Sequence, residues 1–288
     1  MLNRGAGTDV ENELGSAPIY AAAIEGHVEF VRELLNRGAR MDIENKFGWT
    51  PIYAAAIGGQ VEVVRELLNR GARMDVVNKF GSTPIYAAAE NGHLEVGREL
   101  LNRGAKMDIE NKFDWAPIYA AAIGGYVEVV RELLNRGARM DIKNEEGLTP
   151  IYAAAENGHV EVVRELLNRG ARMDIKNVVG STPIYAAAEN GHVEVVRELL
   201  NRGAKMDIEN KFGWTPLYAA AIGGQVEVVR ELLNRGARMD IVNKKGSALI
   251  NVAAENGHVE VVRDLLNRDA IMDIVNKEGS TPISAAAI

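Results

Sequence analysis

Cysteine is absent from all 288 residues, which excludes disulfides, thiolate metal sites and cysteine nucleophiles. Aromatic side chains make up only 6% of the chain, and alanine recurs in triplets instead. No apolar run approaches the roughly 18–20 residues of a membrane span. The opening MLNRGAGTDVEN has no apolar signal core. With no signal peptide, no span and no cysteine, a cytoplasmic protein without membrane contact is expected. An excess of positive charge is lacking too: 33 Lys plus Arg against 40 Asp plus Glu leave a formal charge of −7, which argues against general affinity for nucleic acid or anionic membrane. Serines are sparse and glycines do not take a phosphate-loop spacing. No nucleophile, base and orienter can be assembled, so neither an enzyme nor a cofactor is expected. The apolar fraction of 47% is nonetheless ordinary for a folded chain.

What is present is a repeat, and it outranks local pattern. Asn12, Asn45, Asn78, Asn111, Asn144, Asn177, Asn210, Asn243 and Asn276 mark a period of 33 residues without insertion or deletion. The unit from Asn45 reads NKFGWTPIYAAAIGGQVEVVRELLNRGARMDVV. Full units span 12–44, 45–77, 78–110, 111–143, 144–176, 177–209, 210–242 and 243–275, with partial units at 1–11 and 276–288. No linker interrupts them, so residues 1–288 are expected to form one elongated domain.

Each unit reads as two short helices and a turn. Thr50 is placed to cap the first helix, with Pro51 at its first position, where the missing N–H has no partner to lose. Gly58-Gly59 ends it. In the second helix, Val61, Val64, Leu67 and Leu68 are expected to form one buried stripe. Gly71 follows where a left-handed residue is needed, and ARMDVVNKFGW reads as a hairpin-like connection. Helices this short require stacking on their neighbours.

The TPIYAAA of the units is similar to the T-P-L-H-x-A-A signature of ankyrin repeats, and ENGHVEVVRELLNRGA at 156–171 resembles the rest of that pattern. The resemblance covers essentially the whole chain at the family's own period. It implies an all-α solenoid of helix-turn-helix units that binds a protein partner on a concave face. Two departures recur. Tyr20, Tyr53, Tyr86, Tyr119, Tyr152, Tyr185 and Tyr218 stand where the family has histidine, so that histidine's hydrogen bonds do not carry over. The hairpins read Gly-Ala-Arg-Met-Asp in place of Gly-Ala-Asp-Val-Asn, which changes their charge.

Variation among the units is concentrated in a few slots. One holds Leu14, Phe47, Phe80, Phe113, Glu146, Val179, Phe212, Lys245 and Glu278; two residues on stand Ser16, Trp49, Ser82, Trp115, Leu148, Ser181, Trp214, Ser247 and Ser280. At the end of the first helix a third slot alternates between isoleucine and glutamate, and tryptophan always accompanies isoleucine: Trp49 with Ile57, Trp115 with Ile123, Trp214 with Ile222. The resemblance puts these slots on hairpin tips and inner helices, the binding face. The expected partner-binding residues are Leu14, Lys46, Phe47, Trp49, Ile57, Phe80, Lys112, Phe113, Trp115 and Ile123, with Phe212, Trp214 and Ile222. Exposed apolar groups of this size mark interaction sites, and tryptophan is enriched in hot spots. The blander reading packs each tryptophan on the next hairpin.

Other patterns read as scaffold. His27, His93, His159, His192 and His258 share one slot. Helices stack about 10 Å apart, too far to share a zinc at about 2.0–2.1 Å. Each is read as a turn histidine bonding to backbone at the start of the second helix. Every methionine but Met1 lies on one ladder, from Met41 to Met272, read as apolar filler. Glu33 and Glu66 precede Arg37 and Arg70 by one helical turn, giving a charged outer face. The alternative expectation is end-to-end assembly, a head-to-tail self-association through terminal units, at Met1-Leu2 and Ile288, that read as lacking polar caps. Gly97, Asp114, Ala116 and Asp269 break the unit pattern, as drift after duplication leaves it.

Overall fold

The computed structural model describes residues 8–268. The expectations for the chain ends, for Asp269 and Met272, and for Asn276, Glu278 and Ser280 lie outside the described residues. The chain falls into two compact units, Met1–Glu145 and Glu146–Ile288. Unit 1 holds α1 (Pro18–Ile24), α2 (Val28–Asn36), α3 (Pro51–Ile57), α4 (Val61–Asn69), α5 (Pro84–Glu90), α6 (Leu94–Asn102), α7 (Pro117–Ile123) and α8 (Val127–Asn135). Unit 2 holds α9 (Pro150–Glu156), α10 (Val160–Asn168), α11 (Pro183–Glu189), α12 (Val193–Asn201), α13 (Pro216–Ile222), α14 (Val226–Asn234), α15 (Leu249–Glu255) and α16 (Val259–Leu266). Among the described residues the regular structure is all helix, apart from one isolated bridge between Val242 and Ala248.

The helices start and stop where local chemistry requires. Thr50 is extended, and its hydroxyl accepts the Tyr53 N–H at 3.4 Å, while Pro51 opens α3. Past α4, Gly71 takes φ 91°, and a Cβ built there would meet nothing within 4 Å. Glycine is therefore demanded by the backbone angle and not by lack of space.

Within each unit the helices pack in two layers. First helices pack on first helices, α1 on α3, α3 on α5, α5 on α7, and likewise α9 on α11, α11 on α13, α13 on α15. Second helices form the other layer, α2 on α4 on α6 on α8 and α10 on α12 on α14 on α16. The alanine triplets make the first layer close-packed: Ala54, Ala55 and Ala56 are wholly buried. The second-helix stripe differs from the one read in the sequence. Val63, Val64 and Leu67 are buried, whereas Val61 and Leu68 are half-buried. Each second helix packs on its own first helix and on flanking second helices, so its buried arc shifts to include Val63. Met41, Met74, Met107, Met140, Met173, Met206 and Met239 are half-buried under the loops.

Candidate functional site

The hairpins that carry the variable slots are built on asparagine. The Asn45 Oδ1 accepts the N–H groups of Phe47 at 2.9 Å and Trp49 at 3.0 Å; Asn78 holds Phe80 and Ser82 at 2.8 and 2.9 Å, and Asn111 holds Phe113 and Trp115 at 2.9 and 3.1 Å. In unit 2, Asn210 does the same for Phe212 and Trp214 at 2.9 and 3.1 Å. These asparagines are buried and invariant among the units because the side chain replaces backbone partners that the turn cannot supply. The turn needs a left-handed residue, and Asp114, at φ 56°, is the non-glycine residue that adopts it.

One backbone bond then ties each tip to the next: Lys46 N–H to Leu14 O at 3.0 Å, Lys79 N–H to Phe47 O at 3.0 Å, and Lys112 N–H to Phe80 O at 2.9 Å. The slot residue thus spends its carbonyl on stacking and sends its side chain outward. Leu14, Phe47, Phe80 and Phe113 remain 54, 38, 46 and 54% exposed. Lys46, Lys79 and Lys112 are exposed beside them.

The tryptophans sit deeper. Trp49 is half-buried, stacked with Tyr20 at 6.4 Å and Tyr53 at 5.8 Å between ring centres, with Phe47 tilted against it at 5.1 Å. Its Nε1 is buried without a hydrogen-bond partner, a cost to the fold at this position. Trp115 is likewise half-buried between Phe113 at 5.7 Å and Tyr119 at 5.4 Å. Ile57 and Ile123, half-buried, end the first helices α3 and α7. Unit 1 thus carries Leu14, Lys46, Phe47, Trp49, Phe80, Lys112, Phe113 and Trp115 on hairpins ahead of the first helices, and Ile57 and Ile123 at the opposite ends of α3 and α7. Phe212, Trp214 and Ile222 form the same cassette in unit 2, with 5.2 Å between the two rings. There the preceding slots hold Glu146 and Val179.

The tyrosines behind the row are structural. Burial pushes the Tyr20 and Tyr53 hydroxyls up to about 12. The Tyr218 hydroxyl lies 2.8 Å from Ile241 O and 2.6 Å from Ser247 O, where it donates to the hairpin backbone. Tyrosine thus ties first helix to hairpin here.

The carboxylates divide into two classes. On the second helices, Arg65 pairs with Glu62 one turn back and with Glu99 of the next repeat, and Arg70 pairs with Glu66. Arg70 also donates to Asn36 of the preceding repeat at 2.9 Å. Hydrogen bonds from Arg70 and then Arg32 hold Glu66 below the usual carboxylate range. The pairing within a helix follows the sequence; the links between repeats do not. At the first-helix ends, by contrast, Glu90, Glu156 and Glu189 are exposed, and partial desolvation by the surrounding packing pushes them up, with Glu189 and Glu146 adding to Glu156. Among the described residues no hydrogen bond or ion pair reaches the Glu90 carboxylate. Glu90 is a candidate that the choice of isoleucine at this slot passed over; its signal was the alternation itself.

His93, His192 and His258 bond to backbone, but across repeats. His93 Nε2 donates to Ile57 O at 2.8 Å and His258 Nε2 to Ile222 O at 2.7 Å, each the last carbonyl of the preceding first helix. Gln60 fills the same role on Ile24 O at 3.1 Å. Among the described residues no three His, Asp or Glu gather as a metal site, and no helix is long and apolar enough to cross a membrane.

A family model for ankyrin repeats in three copies matches residues 1–78, 19–111, 58–144, 85–177, 118–210 and 171–243, and a single ankyrin repeat model matches 246–277. No curated protein matches the chain.

Proposed function

The chain belongs to the ankyrin repeat family, and from that premise we propose that it recognises a protein partner on the face formed by hairpin tips and first helices, with the main site in unit 1. Ankyrin repeats are in general protein–protein interaction modules. The observation that supports this face is the row Phe47, Phe80 and Phe113, exposed at the tips while the alanines of the first helices behind them are buried. The row is flanked by Trp49 and Trp115, the residue type most enriched in hot spots. Binding is by desolvation of these anchors on a stack already ordered, which limits the entropic cost of association. The unbroken period supports reading the repeats as one recognition domain, with no chemistry in its role.

Affinity capture with the intact chain and with the Trp49→Ala, Trp115→Ala double variant tests the reading. Trp49→Ala alone is expected to weaken binding of the captured partner by at least about 1–2 kcal/mol, and Ser181→Ala to leave it nearly unchanged. Equal effects at the two positions would refute the assignment to unit 1.

A further inference from the structure

Glu90 stands between two copies of one cassette. Ile57, Glu90 and Ile123 close α3, α5 and α7, which pack side by side in that order. Packed helices lie about 8–10 Å apart, so the carboxylate is one helix spacing from either isoleucine. The tips repeat the alternation: Trp49, then the buried Ser82, then Trp115.

Nothing in the fold calls for this charge. Every second-helix glutamate of unit 1, from Glu29 and Glu33 to Glu128 and Glu132, is paired with arginine. Glu90 has no such partner among the described residues. It is also the last residue of α5, at the carbonyl end of the helix, where the macrodipole disfavours an anion. Isoleucine is accepted at the same place in α3 and α7. An exposed anion without a partner, set between two isoleucines along one row of helix ends, is complementary to a cation brought by the partner. Lys46, Lys79 and Lys112, exposed on the adjacent tips, repel a segment carrying many positive charges.

We propose that unit 1 receives an amphipathic segment of a partner protein in which a single lysine or arginine meets Glu90, and an apolar side chain on either side meets the Trp49–Ile57 and Trp115–Ile123 pairs. This rests on the protein-recognition reading above and adds to it the chemistry of the partner.

The test pans a random peptide display library against the intact chain and measures the enriched peptides against wild type, Glu90→Gln, Glu90→Ile and Trp115→Ala. Glu90→Ile reproduces the residue of α3 and α7, so its folding is not at issue. Enriched peptides are expected to share one basic residue flanked by apolar ones. Glu90→Gln is expected to weaken them about tenfold, the size of one charge-assisted hydrogen bond. Replacing the peptide's basic residue by norleucine should weaken binding to wild type and not to Glu90→Ile. Peptides that depend on Trp115 but are indifferent to Glu90→Gln would overturn this inference and leave the recognition reading standing. No enrichment, or enrichment indifferent to both positions, would overturn the recognition reading as well.

Discussion

Filling the gap at Gly97 should stabilise unit 1. Gly97 is buried in α6, where α2, α4 and α8 hold the fully buried Val31, Val64 and Val130. A Cβ built on Gly97 meets nothing within 4 Å, and a void of about 10 Å³ lies against it, lined by Ile85, Ala89, Leu94, Leu101, Val129 and Leu133. Gly97→Ala removes a helix-propensity cost of about 0.8–1.0 kcal/mol and buries one methyl worth about 0.8 kcal/mol. The expected gain is about 1.5–2 kcal/mol, a slowing of roughly tenfold or more in amide exchange through α5–α8. Gly97→Val recovers less propensity but buries more carbon, so it should equal or exceed alanine unless Leu94, a valine in the other units, already leans into the space. Exchange followed residue by residue is the suitable assay, because defects in a repeat stack act locally and one global midpoint averages over them. Unchanged or faster exchange in both variants would show that the gap is already closed by relaxation of its lining, and the reasoning would fail.

Two further defects lie downstream. Asp114 adopts φ 56°, and Ala116 leaves α7 without the side-chain cap that Thr50 gives α3; Asp114→Gly and Ala116→Thr should each stabilise by about 1 kcal/mol. With Gly97 these make residues 95–117 exchange faster than 194–216, where Val196 is buried, Gly213 takes φ 77° and Thr215 accepts the Tyr218 N–H at 3.4 Å; equal rates would refute the local-defect account. The two classes of carboxylate predict opposite responses to acid. Glu66, and Glu231 beside Arg197, are lowered, so their stabilisation is complete above the unfolded value near 4.3 and is lost as pH falls through the folded one. Glu90 is raised by partial desolvation, so it destabilises the fold while ionised, and that cost fades as pH falls from its raised value toward about 4.3. Glu90→Gln should therefore stabilise unit 1 at about pH 7 and gain nothing near pH 4; urea midpoints at the two pH values check this, and a constant difference would refute it.

The sequence was most legible where one residue decides one local angle or bond. Thr50-Pro51 and Gly71 were both read correctly for that reason. It was least legible where the partner lies a whole repeat away. His93 bonds a carbonyl 36 residues upstream, and Arg65 reaches a carboxylate 34 residues downstream. Neither offset equals the period, so neither is visible until the stacking is known. Val63 was missed for a related reason: a single helical stripe describes packing on one neighbour, and this helix has several. The candidate site was legible as a set of varying slots. The depth of its side chains was not, and Trp49 is half-buried in a ring stack with Tyr20 of the preceding repeat, between the exposed anchor and the packed side chain that the sequence allowed.

The variable slot can vary because its structural duty is carried by the backbone. In unit 1 the carbonyls of Leu14, Phe47 and Phe80 accept the tip-to-tip bonds; in unit 2 those of Glu146, Val179 and Phe212 accept the same bonds, from Val178, Lys211 and Lys244 at 2.8, 2.9 and 3.2 Å. Acid, branched aliphatic and aromatic side chains thus serve one ladder equally, since none of them takes part in it. Change here spares the stack, whereas change at Gly97 or Ala116 removes burial or a cap on which the stack depends. Phe80→Glu places in unit 1 the residue that unit 2 holds at Glu146. With the Phe80 side chain about half exposed, the substitution should cost no more than about 1 kcal/mol, against about 3–5 kcal/mol for truncating a buried phenylalanine. Exchange protection of α5 and α7 measures that cost, and binding of a captured partner measures the function. A loss of protection as large as that of a core truncation would mean that the phenylalanine row holds the stack together, and that its exposure is no sign of recognition.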